Sequence, residues 1–325
     1  MKAVVQHHYG EHDVLRVEDV EAPVVGAGDV LVQVKAAGVD AGVWHMTAGK
    51  PYLLRVFGGG LRAPKQKIPG RDVAGIVSQV GAGVSRFAVG DEVFGTTLGG
   101  SFAEFTRVPE ERLALKPGNI SFEQAAVAPV SGCTALHGVR DAGRLQAGQS
   151  VLVLGAGGGV GSFAVQIAVA LGATVTGVCG SDKVEFVSSL GAFRVIDRGR
   201  EDFTAGTERF DLIIDTAGRT PLGRLRRVLT KRSTLVIVGG EGGGALLGGF
   251  GRSMLAPLAS LFGGQKFKGL ISSEDLPTLE ALRDLLGAGS VIPPVDRVFP
   301  LEEAGAAVEY LHAGRPLGKV VMSVL

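Results

Sequence analysis

Residues 1 to about 115 alternate apolar and polar positions in short segments, such as DVLVQVKAAGVD, DVAGIVSQVG and GDEVFGT, each closed by Gly, Pro or Asp. A period of two predicts strands, and together these segments predict a β-rich domain with a barrel-like sheet. After KPGNISFEQAAVAP the period changes. Ser121 is placed to cap a helix beginning FEQAAVA, a second helical stretch TALHGVRDAG comes after it, and the strand SVLVLG is next. From there strands and helices alternate: VLVLG, a helix over 160–171, TVTGVC, a helix over 182–190, RVIDR, FDLIIDTAG, a helix over 221–229, and TLVIVGG. Such alternation predicts an α/β fold with a doubly wound parallel sheet. FKGLIS predicts a sixth strand, DLPTLEALRDLLGAG an amphipathic helix, and VDRVFP with GKVVMSV two strands, the last returning to the first domain. The expected division is 1–121 with 273–325 for the β-rich domain and 122–272 for the parallel-sheet domain. The runs Phe57 to Gly60 and Gly239 to Gly251 read as loops.

Val151 to Gly180 is thirty residues without a charge, long enough to resemble a membrane span. Its glycine cluster, Gly172-Ala173 and the β-branched run TVTGV instead divide it into strand, turn, helix and strand, a buried βαβ unit.

Composition narrows the partners. The chain of 325 residues exceeds what one core usually serves, and 33 basic against 32 acidic residues leave a formal charge of +1. Nothing in that balance favours nucleic acid or an anionic membrane, so a small molecule is the expected partner. Two cysteines, Cys133 and Cys179, cannot build a disulfide framework or a four-cysteine zinc site, and the N-terminus carries no targeting pattern; a reducing, cytoplasmic setting is expected.

The candidate chemistry begins in LVLGAGGGVGSFAVQIAVALGA. Ala156, Gly158 and Gly161 occupy the three positions of a G-x-G-x-x-G fingerprint, with alanine in the first, after a strand and at a helix start. Residues without a Cβ let backbone N–H groups approach a pyrophosphate, and the positive end of the helix favours its charge. Gly159 and Val160 complete this cofactor turn. An acid at the tip of the second strand would bind the ribose 2′-OH of NAD; Cys179-Gly180-Ser181 stands there instead. Asp182 precedes Glu185 by three residues and reads as a helix cap. Gly180, Ser181, Lys183 and Arg198 are therefore assigned to the cofactor, the hydroxyl and two cations meeting the 2′-phosphate of NADPH. Two solvated surface cations are the other reading of Lys183 and Arg198. The six histidines, His7, His8, His12, His45, His137 and His312, form no HExxH motif, and no metal is expected.

These residues, with GVDAGVWHMTAG, KIPGRDVAGIVSQVGAGV, GDEVFG, SGCTALHGVRDAG, FDLIIDTAG and GRPLGKVVMSV in order, resemble the medium-chain dehydrogenase/reductase superfamily and, within it, the zinc-independent quinone oxidoreductase branch. The resemblance covers nearly the whole chain. It implies a GroES-like domain beside a Rossmann domain, and a homodimer in which TLVIVGG pairs across two sheets. Where zinc-dependent members carry Cys, Gly-His-Glu and a second Cys, this chain has Asp40, Gly70-Arg71-Asp72 and Val130. The activity that the resemblance implies is hydride transfer from NADPH to a quinone or the β-carbon of an electron-poor enone, without zinc.

Asp40 and His45, where the branch often has Asn and sometimes Tyr, are the implied catalytic candidates, with Tyr52 and Arg55 weaker ones on the same loop. Asp40 reads either as an acceptor for the nicotinamide ribose or as a turn residue after Gly38. His45 reads either as a proton donor to the reduced acceptor or as a partly exposed histidine beside Trp44. The resemblance also places Thr134 at the nicotinamide end, the Val238-Gly239-Gly240 turn beneath it, and Lys319 at the closing of the cleft. Two other functions are weighed: an enoyl-thioester reductase using Arg55, Arg62, Lys65 and Lys67 as a cationic groove, though that cluster reads more simply as a solvated loop with scattered charge, and a protein that binds NADPH without turnover.

Overall fold

The alternation in DVLVQVKAAGV becomes the strand Asp29–Val39, whose Val30, Val32 and Val34 are buried while the residues between them are half-exposed. This computed structural model describes residues 1–240, 244–260 and 264–324. They fall into two units, Met1–Cys133 with Glu274–Leu325, and Thr134–Ser273.

The first unit is built on a seven-stranded sheet. Asp29–Val39 pairs antiparallel with Asp72–Val80 along one side; on the other, its first half takes Phe105–Pro109 and its second half Lys319–Ser323. Val295–Pro300 joins parallel to Lys319–Ser323, and Glu92–Thr96 and Leu113–Leu115 extend the opposite edge. Val30, Val32, Val34, Val73, Val93, Phe102, Val320 and Met322 fill its core. Ser121 caps Phe122–Ala126 through a full capping box with Gln124. That helix packs on the strands Asp29–Val39 and Asp72–Val80, so residues 122–133, read from sequence as part of the second domain, belong to the first unit.

The second unit holds six parallel strands: Ser150–Leu154, Thr174–Cys179, Arg194–Asp197, Phe210–Asp215, Leu229–Ile237 and Lys266–Gly269. Numbered along the chain, their order across the sheet is three, two, one, four, five, six, the doubly wound arrangement. The thirty uncharged residues resolve into the first strand, the helix Gly159–Ala170 and the second strand. Among the described residues no helix is long and apolar enough to cross a membrane.

Four sequence expectations need correction. TLVIVGG is not an edge, because Leu229–Ile237 is paired on both sides, with the fourth and sixth strands. Gly239 to Gly251 is not all loop: Gly244–Leu247 and Phe250–Ala259 are helical, and residues 241–243 lie outside the described residues. Phe57 to Gly60 lies largely in a π-helical turn, Arg55–Gly59. Asp182 is not a helix cap, since a 3-10 turn Ser181–Lys183 begins after Gly180 and carries Asp182 inside it.

Candidate functional site

In the second unit the chain leaves the first strand through Gly155, at φ 79°, and enters the helix Gly159–Ala170 behind Gly158, with no side chain capping it. The glycines here have different reasons. A Cβ on Gly161 would stand 2.1 Å from the Gly155 carbonyl oxygen, so its bareness lets helix and strand pack. A Cβ on Gly158 would meet only that oxygen, at 3.4 Å. The fold therefore does not require glycine at 158, and the open side is where a phosphate could approach backbone N–H groups at the helix start. Lys183 lies across the same turn, its Cδ 2.8 Å from where a Cβ of Gly157 would be.

At the tip of the second strand, Arg198 N donates to Cys179 O at 3.0 Å. Arg198 Nη2 comes within 3.8 Å of a Cβ position on Gly180. Asp197 closes the neighbouring third strand and receives the Ser181 hydroxyl at 2.7 Å on Oδ2 and Gly199 N–H at 2.8 Å on Oδ1. The Ser181 bond, then the Gly199 bond, Arg200 and Arg198, hold Asp197 below the usual carboxylate range. Burial first, then Asp197 and Asp182, pushes the Cys179 thiol up to about 11, so it stays protonated at neutral pH. A depression of about 320 Å³ opens here, lined by Ser181, Asp182, Val184, Glu185, Asp197 and Arg200.

The fourth and fifth strands end in a second cluster. Asp215, fully buried, accepts from Ala217 N and Gly218 N, and Arg252 Nη2 stands 2.8 Å from its Oδ2. Burial raises the Asp215 pKa against the opposing pull of Arg252. Val238 N donates to Asp215 O at 2.9 Å. Beyond it, Gly240 packs backbone to backbone with two other glycines: a Cβ on Gly218 would stand 2.4 Å from Gly240 Cα, and one on Gly249 2.4 Å from Gly240 O. Among the described residues nothing lies within 4 Å of a Cβ position on Gly239, and Thr134 is half-buried on the helix Pro129–Leu136.

In the first unit, Asp40 caps the helix Ala41–Ala48 by accepting from Val43 N at 3.2 Å on Oδ1. Its Oδ2 is enclosed and has no hydrogen-bond partner among the described residues. His45 Nδ1 lies 2.8 Å from Lys50 O. A carbonyl only accepts, so Nδ1 carries the proton and Nε2 is the nitrogen left for proton exchange. Trp44 meets His45 edge-on and stacks on His312 at 3.9 Å between centroids. Tyr52 is exposed; the Arg55 guanidinium lies over its ring and over that of Tyr9.

Lys319 is buried within the first unit, its Nζ 3.5 Å from Asp72 Oδ2, while Asp72 Oδ1 accepts from Val130 N at 2.8 Å. Burial drives the Asp72 carboxyl up to about 7; Lys319 opposes the rise, and Asp40 and Glu274 reinforce it. The Arg71 guanidinium is paired with Glu274. Among the described residues no group of three or more His, Cys, Asp or Glu is arranged to hold a metal ion.

In the second unit, Lys183 joins the turn Ala156 to Gly161 to Gly180, Ser181 and Arg198, since its N–H donates to Gly180 O at 3.0 Å, and Val238 to Gly240 follow the fifth strand; Asp40 to Tyr52 and Lys319 belong to the first unit. Sequence reading left out Asp197, Asp215 and Arg252. An acid closing a strand was a usable signal for Asp197 and Asp215, both last in their strands.

Two family models match the chain, an alcohol dehydrogenase GroES-like domain over residues 26–118 and a zinc-binding dehydrogenase over residues 190–322. The 2-methylene-furan-3-one reductase of Solanum lycopersicum is 33% identical over 99% of this chain and 79% of its own length. The NAD-dependent alcohol dehydrogenase of Sulfolobus acidocaldarius is 31% identical over the full length of both. The Escherichia coli quinone oxidoreductase, solved in complex with NADPH, superposes with a TM-score of 0.82 over the whole of both chains at 25% identity.

Proposed function

Because this chain belongs to the medium-chain dehydrogenase/reductase superfamily, in its quinone oxidoreductase branch, we propose that it is an NADPH-dependent reductase of quinones or activated enones that works without zinc. The observation that carries the reading is the pair of glycines with different surroundings: Gly161 bare for packing, Gly158 bare toward open space at a helix start. The turn from Ala156 to Gly161 would hold the pyrophosphate, and Lys183 and Arg198, with Ser181, would meet a 2′-phosphate. The Val238-Gly239-Gly240 turn and Thr134 would take the nicotinamide end.

When bound, reduced nicotinamide supplies a hydride, and a quinone or enone stabilises the arriving charge itself. The chain's own contribution is to bind, orient and exclude water. His45 would give or take a proton at Nε2, its Nδ1 being engaged by Lys50 O. The enclosed Oδ2 of Asp40 offers an acceptor for a hydroxyl. Tyr52, in the turn after the helix Ala41–Ala48, would line the acceptor pocket.

Zinc does not fit the residues present. Val130 has no donor atom, and Arg71, held by Glu274, is a cation with no lone pair to offer. A homodimer is supported by the side of Lys266–Gly269 that has no partner strand among the described residues, next to a helix that exposes Met254, Leu255 and Leu258.

The test measures NADPH and NADH oxidation in parallel against quinones and small enones, before and after chelation, with metal content determined. Acceptor-dependent oxidation of NADPH that survives chelation supports the reading. Tight NADPH binding without any turnover replaces it with a binding protein.

A further inference from the structure

We infer that Asp197 is a specificity-determining residue of the dinucleotide site, holding back a ribose 2′-phosphate while leaving a 2′-hydroxyl unaffected. The inference rests on the reading of this site as a dinucleotide site and concerns which dinucleotide it takes.

Three observations carry it. First, the Ser181 hydroxyl has one proton, and it is given to Asp197 Oδ2 at 2.7 Å. A 2′-phosphate asking for that proton must first displace a carboxylate. Second, Asp197 cannot turn away, because Oδ1 is held by Gly199 N–H at 2.8 Å and the side chain is only 13% exposed. Third, the depression beside it is lined by three carboxylates, Asp182, Glu185 and Asp197, against one cation, Arg200. Arg200 stands 3.4 Å from Asp197 Oδ2 but is 85% exposed, so water screens what it can neutralise. Its lowered pKa keeps Asp197 charged wherever a dinucleotide would bind.

Arg198 and Lys183 therefore work against a fixed negative charge. The site accommodates both forms of the nucleotide, with a preference for the phosphorylated one smaller than its two cations alone would give. Replacing Asp197 by Asn keeps the shape and removes the charge; its one carbonyl oxygen can accept from Gly199 N–H while its amide nitrogen donates to Ser181 Oγ, which frees the hydroxyl proton.

The experiment measures Kd for NADPH and for NADH, by nucleotide fluorescence, in the full-length wild type and Asp197→Asn. The expected result is NADPH binding tightened about threefold to fivefold at low ionic strength, NADH unmoved, and the gain shrinking in high salt. Unchanged NADH binding shows in the same titration that the variant is folded. An NADPH Kd that does not fall in Asp197→Asn overturns the inference and leaves the dinucleotide site standing. A wild type that binds neither nucleotide overturns both.

Discussion

Lys319 Nζ stands 3.5 Å from Asp72 Oδ2 with both side chains almost wholly shut off from solvent, and the two residues lie 247 positions apart in sequence. The pair ties the strand Lys319–Ser323 to the strand Asp72–Val80 across the central strand between them. Removing Lys319 takes away the cation that holds the Asp72 pKa down, so the buried carboxyl must take up a proton or stay charged without a partner. Lys319→Met should destabilise the first unit by about 3–5 kcal/mol, and the double variant with Asp72→Leu should recover most of the loss. Urea titrations of the single and double variants decide it.

The raised Asp72 pKa sets a direction with pH. Between the ordinary carboxylate range and about 7, the folded chain holds a proton that the unfolded chain has released. The contribution of this group is therefore complete at acid pH and is lost as pH rises through about 7. Asp72→Asn should flatten that fall, seen as a smaller drop in urea midpoint between pH 5 and pH 8 than in the wild type.

Gly158 and Gly161 separate binding from stability. Gly158 has φ −94°, which alanine adopts without strain, and its Cβ direction is open. Gly158→Ala should leave unfolding unchanged and weaken NADPH by about tenfold or more, the worth of one charge-assisted hydrogen bond. Gly161→Ala should cost about 1–3 kcal/mol by overpacking, seen as a lower melting temperature without any ligand present.

The Arg252–Asp215 pair anchors the helix Phe250–Ala259 to the end of the fourth strand. Arg252→Met leaves Asp215 buried and raises its pKa further, so it takes up a proton or opens the cluster. The expected outcome is a lower melting temperature and faster protease cleavage within residues 244–260, both largely restored by also changing Asp215→Asn.

Most of the sheet architecture was legible because period and punctuation are local properties. The alternation in DVLVQVKAAGV, the Ser121 cap and the strand–turn–helix around Gly158 can each be read within a dozen residues. What escaped depends on distance or competition. Asp72 and Lys319 pair across 247 positions, which no local pattern reveals. Asp182 and Glu185 look like a capping pair, yet the chain begins its turn one residue earlier, at Ser181. The glycines of 239–251 hide a helix start whose anchor, Asp215, lies on another strand.

The first unit is made of two lengths of chain separated by the whole of the second. During synthesis, Asp29–Val39 emerges early but must wait for Lys319–Ser323 to fill its remaining edge. The second unit, continuous in sequence, has all six of its strands available before then. The nascent chain is therefore expected to complete its parallel sheet first, while the β-rich unit stays open on the ribosome, exposing an unpaired strand edge that chaperones would meet.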